Sequence, residues 1–123
     1  MTTSLPRDEQ LVLAIDLGTG GPKVGFVSLT GRLAWQDHIA VETRWLPDDG
    51  AVQDAEQWWQ IIGAATRRGL ASGAVASDRI VAVAVTGQWA STVPVDDKGH
   101  PVGDCIMWMD KRGARHVRPL IGG

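Results

Sequence analysis

Asp16-Leu-Gly-Thr-Gly-Gly-Pro-Lys23 is the stretch whose residue types and spacing point most directly to chemistry. It sits between two short apolar runs, Leu11–Ile15 and Val24–Leu29. A carboxylate at the end of a buried strand can hold a hydrated Mg²⁺, because that ion keeps most of its water and needs only one or two carboxylates. Gly18, Gly20 and Gly21 leave room for backbone amides to approach phosphate oxygens. Thr19 adds a hydroxyl, and Lys23 adds a cation within reach of a phosphate. The stretch fits neither a Walker A loop nor a dinucleotide fingerprint, since a strand rather than a helix follows it and the spacing fails both. On spacing alone it is equally an ordinary glycine-rich hairpin with an exposed Asp and Lys.

The elements that position these residues follow from periodicity. Residues 1–10 read as a frayed tail. Leu11–Ile15 and Arg79–Val85 are almost wholly apolar and read as strands buried on both faces. Val24–Leu29 pairs back through a Thr30-Gly31 turn to a third strand over Leu33–Thr43. Leu46–Gly50 is a loop. Asp54-Ala-Glu-Gln57 fits a helix-capping box, and Trp58, Ile61, Ile62 and Ala65 follow on one apolar face. Thr86-Gly-Gln-Trp89 is a polar turn at a strand end. Strands over Ser91–Val95 and Val102–Met109 flank an Asp96–Gly99 turn. A helix starts at Asp110–Arg115 and is stopped by Pro119. Domain organisation is thus a tail over 1–10 and one incomplete domain over 11–123. The fold class is α/β, with a mixed central sheet, hairpins and one long helix. A single helix is too little cover for two doubly buried strands, so the sheet looks unfinished.

Composition narrows the function classes. The chain has 123 residues, 12 Lys plus Arg against 14 Asp plus Glu, and a net charge of −2. That balance excludes a nucleic-acid binder or a membrane-surface protein that relies on a basic field. No apolar run is long enough to span a bilayer, and the start lacks the pattern of a signal peptide. Cys105 is the sole cysteine, which removes internal disulfides and cysteine-based zinc sites and suggests a small buried hydrophobe in a reducing, cytoplasmic setting. His38, His100 and His116 lack metal-ligand spacing and read as surface residues. Asp96 and Asp97 are explained by turn chemistry. Arg112, Arg115 and Arg118 read as one solvated helix face. Of six tryptophans, adjacent Trp58 and Trp59 cannot share a helix face, so one is core and one semi-exposed. Trp35 and Trp45 read as packing residues. Trp108 is either core or a flat apolar wall.

Asp-Leu-Gly-Thr followed by Gly-Pro-Lys on a hairpin resembles the first phosphate motif of the sugar kinase, Hsp70 and actin superfamily. Three further blocks, Gly50–Trp59, Val85–Trp89 and Ile106–Arg112, resemble the FGGY carbohydrate kinases in order and spacing, with the xylulokinase branch most similar. The resemblance covers nearly all the chain from Leu11. It implies the front of an RNase H-like (actin-like ATPase) domain and transfer of the γ-phosphoryl group of ATP to a sugar or polyol hydroxyl. By position, Asp16 would organise Mg²⁺ through water, and Gly18, Thr19, Gly20 and Lys23 would lie near the ATP phosphates. Gln88, Trp89, Trp108 and Asp110 would serve the sugar, Asp110 with Arg112 shaping the cleft or holding the loop. The catalytic base, an Asp, and the second phosphate motif would lie beyond Gly123, so the chain alone is expected to be inactive. Trp89-Ala90 stands where xylulokinases carry Met-His and glycerol kinases Arg-Glu, so the resemblance names neither xylulose nor glycerol. Gly20 replaces a Ser or Thr common in relatives. A rival reading is a non-catalytic remnant or partner-binding half-domain that dimerises through its uncovered sheet.

Overall fold

The computed structural model describes Pro6 and residues 8–122, leaving out the side chain of Arg118. In chain order the elements are β1 (Leu11–Gly18), β2 (Gly21–Ser28), β3 (Leu33–His38), β4 (Arg44–Leu46), β5 (Gly50–Gln53), α1 (Ala55–Ala71), β6 (Ile80–Gly87), β7 (Cys105–Ile106) and α2 (Ala114–Ile121). The chain divides into two compact units. The first takes everything up to Val41 together with Gln57–Gly87, and the second takes Glu42–Glu56 and the chain from Gln88 on.

The first unit holds a mixed four-stranded sheet in the order β3-β2-β1-β6, with β1 antiparallel to β2 and parallel to β6. Alternation along β2 sets its faces. Pro22, Val24, Phe26 and Ser28 are buried while Lys23 is exposed. On α1 the buried residues are Trp58, Ala65 and Gly69, which recur at helical spacing. A side chain at Gly69 would meet Phe26 Cε2 at 2.5 Å and Trp35 Cε3 at 2.7 Å, so this glycine lets the helix lie directly on two aromatic rings. Those rings stand 6.0 Å apart at 55°, a tilted pair. Leu11, Phe26 and Val75 form the buried centre, with Leu13, Leu70 and Ile80 against it. Trp58 is core and Trp59 is 71% exposed, the division expected from their adjacency.

Three expectations for this unit are corrected. Only Leu11 of β1 is fully buried, and β6 is exposed along nearly its whole length, including Val81, Val83 and Val85. Neither strand is covered on both faces, because the one long helix, α1, lies on Phe26 and Trp35 and leaves Val81, Val83 and Val85 exposed. The third strand ends at His38 rather than Thr43. The first part of the expected tail lies outside the described residues. Its later part is tied down: Arg79 donates to the carbonyls of Glu9 and Pro6, each at 2.8 Å, and the Glu9 carboxylate takes hydrogen bonds from Thr30 and Arg32.

The second unit is built on a small sheet, β4-β5-β7. The β4–β5 hairpin turns through Asp48 and Asp49, both at φ 60°, a conformation that short polar side chains tolerate better than most. Gly50, expected to close a loop over Leu46–Gly50, instead opens strand β5, whose four residues are wholly buried. Asp54 Oδ1 accepts the amide of Glu56 at 2.9 Å, capping α1 as its sequence suggests. The hairpin expected over 91–109 contracts to β7 and two isolated bridges, Thr92 with Ile106 and Val95 with Pro101. Pro94 and Pro101 lack the N–H that a longer ladder needs. Trp45 is 69% exposed rather than packed. The last helix starts at Ala114, so Arg112 precedes it and does not share a face with Arg115; Pro119 lies inside it. Among the described residues, no helix is long and apolar enough to cross a membrane.

Candidate functional site

The hairpin between β1 and β2 is tighter than its glycine content suggests. β1 continues through Asp16 to Gly18, β2 opens at Gly21, and only Thr19 and Gly20 form the turn. The register sets Asp16 opposite Lys23. Directly opposed side chains stand close enough to meet, and Lys23 Nζ donates to Asp16 Oδ2 at 3.1 Å. Both groups are solvent-accessible, so the pair contributes at most about 1 kcal/mol and opens easily when another anion or cation competes. Gly18 keeps the space beside it clear: a side chain there would lie 3.6 Å from Lys23 Nζ and 3.7 Å from Asp16 Oδ2. Gly20 is exposed, with nothing within 4 Å of where a side chain would start.

Gly21 has another task. It holds φ +122°, and a side chain would fall 2.1 Å from the Ile39 carbonyl oxygen and 2.8 Å from the Val41 nitrogen. The 39–41 segment therefore lies on the hairpin. Its amides hold the turn, Val41 donating to the Gly20 carbonyl at 3.1 Å and Ile39 to the Pro22 carbonyl at 3.3 Å. This is a glycine of close packing, not one that opens amides to a phosphate.

On the parallel neighbour, Thr86 is paired with Asp16. Beside this row, Gly25, Ala14 and Ala84 lie in register across three strands, and a depression of about 330 Å³ opens there. Thr86 was missed from the sequence because only the β1–β6 register brings it beside Asp16. Among the described residues no group of three or more His, Cys, Asp or Glu side chains is placed to hold a metal. The single carboxylate at the hairpin suits a cation that takes its other oxygens from water and phosphate.

The remaining expected residues belong to the second unit. Ser91 Oγ donates to Gln88 Oε1 at 2.9 Å and accepts the Trp108 amide at 3.0 Å, so the 88–91 turn and the 108 segment are joined through one hydroxyl. In the sequence Ser91 only opens an expected strand; a small hydroxyl three residues after Gln88 is the signal for its role. Ala90 holds φ 55°, which costs a non-glycine residue about 1–2 kcal/mol. Trp89 and Trp108 are 82% and 50% exposed. Asp110 is different, with its side chain only 4% exposed. It accepts Arg112 Nη2 at 2.7 Å, Arg112 Nε at 3.0 Å, the Arg112 amide at 3.0 Å and the Ala51 amide at 2.9 Å. The Arg112 guanidinium and these amides outweigh burial and hold the Asp110 carboxyl well below the usual carboxylate range. Its oxygens are thus committed to joining β5 to the 110–112 loop. Cys105 is fully buried, and that burial pushes its thiol pKa up.

A mixed four-stranded sheet with a tight acidic–basic hairpin after its first strand is an α/β arrangement. The chain matches the N-terminal domain of the FGGY family of carbohydrate kinases over residues 11–122, and it belongs to that family. It is 36% identical over 112 residues to a glycerol kinase of Dechloromonas aromatica, with 88% of this chain and 22% of that protein covered. It is 35% identical over 115 residues to an erythritol kinase of Brucella abortus, with 92% and 22% covered. Among solved structures, a xylulose kinase from Rhodospirillum rubrum superposes with a TM-score of 0.82 at 24% identity, covering 92% of this chain and 23% of that one. A Plasmodium falciparum glycerol kinase with ADP gives 0.79 at 19% identity, covering 93% and 23%. The fold is that of the corresponding part of these sugar kinase structures. The chain spans about a fifth of the length of the curated relatives it matches, 22% in both cases above.

Proposed function

We propose that this chain is the N-terminal part of an ATP-dependent kinase that phosphorylates a sugar or polyol hydroxyl in the cytoplasm. The observation that carries the reading is the Asp16–Lys23 hairpin, in a chain of this family. In the reaction proposed, Asp16 would be the carboxylate that holds Mg²⁺, and Lys23 would be free to leave Asp16 for a phosphate oxygen. Gly18 keeps the approach open, while Thr19 and Gly20 present the turn to the phosphates. Mg²⁺, when bound, would offset phosphate charge, the main demand of phosphoryl transfer beyond positioning. Gln88, Trp89 and Trp108 face the acceptor. Asp110 holds their supporting loop through Arg112 and Ala51. The carboxylate that accepts the hydroxyl proton is assigned to the chain beyond Gly123.

The test is a coupled ADP-release assay over a panel of pentuloses and polyols. The 123 residues alone should give no sugar-dependent turnover, whereas the protein with the rest of the kinase present should be active and lose activity in Asp16→Ala. Activity retained in that variant would overturn the assignment of Asp16.

A second reading has one observation behind it. β6 leaves an open sheet edge carrying exposed Val83 and Val85, as a half-domain that pairs with a second copy would. Size-exclusion chromatography decides this: a tight dimer supports the second reading, and a monomer removes it.

A further inference from the structure

The pairing of β2 with β3 sets Lys23 opposite His38 and Gly25 opposite Gln36. Residues two apart on a strand share a face, so these positions form a square on the face turned away from Phe26 and α1. Lys23, Gln36 and His38 are exposed there. Gly25 has no side chain, so one corner is empty and an ammonium, an amide and an imidazole surround it. Directly opposed side chains start about 4.5–5.5 Å apart, a span that one small anion bridges. A depression of about 410 Å³ lies against Lys23, Gln36, Asp37 and His38. It shares Lys23 and Gln36 as walls with the depression of about 330 Å³ described above. Lys23 is paired with Asp16 on its other side. The Gln36 and His38 side chains make no hydrogen bond to any described residue. Asp37 brings no free charge to the square, because Arg68 donates to its Oδ2 from Nε at 3.0 Å and from Nη2 at 2.5 Å.

We propose that Lys23, Gln36 and His38 form a binding site for a phosphate group, free or carried by a small monoester. The site goes beyond the kinase reading: Asp16, Gly18, Thr19 and Gly20 take no part in it, and it needs no metal. Lys23 supplies a charge-assisted hydrogen bond. Gln36 supplies an amide N–H, and His38 supplies one ring N–H in either tautomer. Donors at three corners suit three oxygens of a tetrahedral group better than the two of a planar carboxylate. To reach the anion Lys23 leaves Asp16, and an exposed ion pair of that kind costs little to open. Asp16 is thus a competitor for Lys23 and not a ligand. A phosphate held on the His38 side keeps Lys23 away from the hairpin.

Histidine-ring and lysine side-chain NMR signals of the 123-residue chain test this, with inorganic phosphate, glycerol 3-phosphate and acetate as probes. The titrations are run without divalent metal and at fixed ionic strength, which separates a site from screening. The His38 and Lys23 signals should shift saturably with either phosphate compound, and the tighter of the two names the source. Acetate should shift them more weakly. The His100 ring, exposed and beside Asp96, is the internal control and should stay still. His38→Ala, read at Lys23, and Gln36→Ala, read at His38, should each weaken binding about fivefold, the loss of one hydrogen bond of ordinary strength. Asp16→Asn should tighten binding about threefold by removing the competitor. No saturable shift with either phosphate compound, equal shifts at His100, unchanged binding in His38→Ala, or loss of binding in Asp16→Asn would each overturn the site. Mg-ATP added to a separate sample and followed at the Gly18 and Thr19 amides reads the kinase assignment on its own. Shifts there without a phosphate response at His38 reject this site and leave that assignment standing.

Discussion

Gly20 and Gly21 are neighbours in sequence, yet replacing each with alanine should have opposite consequences. At Gly21 the new methyl would sit 2.1 Å from the Ile39 carbonyl oxygen, which is backbone and cannot rotate away. The φ of +122° adds strain of about 1–3 kcal/mol for any residue with a Cβ. Relief requires the 39–41 segment to lift, which breaks the Val41–Gly20 and Ile39–Pro22 hydrogen bonds, each contributing about 0.5–1.5 kcal/mol. The loss should therefore be about 3–5 kcal/mol, a large part of the roughly 5–15 kcal/mol that holds a domain folded. At Gly20 the φ is not left-handed and nothing stands within 4 Å. Alanine there should be neutral or stabilise by up to about 1 kcal/mol through the unfolded chain. Urea unfolding followed by tryptophan fluorescence reads both. With a slope of roughly 1–3 kcal/mol per molar, Gly21→Ala should lower the midpoint by about 2 M while Gly20→Ala leaves it nearly unchanged. A loss below about 1 kcal/mol at Gly21, or equal damage at the two positions, would refute the reasoning that the hairpin is pinned by the backbone at 39–41.

Trp58→Ala should cost about 3–5 kcal/mol as a buried aromatic truncation, while Trp59→Ala, 71% exposed, should stay within about 0.5 kcal/mol in the same assay. Asp110 has a folded pKa depressed below its ordinary value, so it stabilises the fold above the unfolded carboxylate pKa and that stability drains as pH falls toward the folded one. Stability measured against pH should thus fall below about pH 4 more steeply in the wild type than in Asp110→Asn. A parallel decline in the two would show that the Asp110 charge is not what the loop depends on.

The readings that depended on local chemistry were legible in the sequence. Asp54 announces the start of α1, and the spacing of Trp58 and Ala65 gives its buried face. Leu11–Ile15 and Ile80–Val85 announce strands, since an apolar run of that length has few other uses. What failed needed knowledge of neighbours. The hydrophobicity of β6 resembles that of a central strand, and nothing local shows that among the described residues it is the last strand of its sheet. β5 is four residues long, too short to show a period, and it becomes a strand by pairing with β4 and β7. The candidate site divides in the same way. Asp16 and Lys23 stood out as residue types, but their pairing is a consequence of register, as is the place of Thr86. Asp110 stood out too, while the fact that its oxygens are spent on Arg112 and the Ala51 amide could not be read from a segment 59 residues away.

The exposed edge formed by β6 also bears on handling the protein. Ile80-Val-Ala-Val-Ala-Val85 has no charge, no proline and a strong preference for extended backbone, the composition that lets one chain template the next in cross-β aggregates. Native edges are usually protected by a lysine, a proline or a bulge pointing outward. The register shift of this strand lies at its start, between Leu11 and Val12 of its partner, and the six residues carry no such guard. The shelf life of the isolated chain should therefore be set by its concentration rather than by its melting temperature.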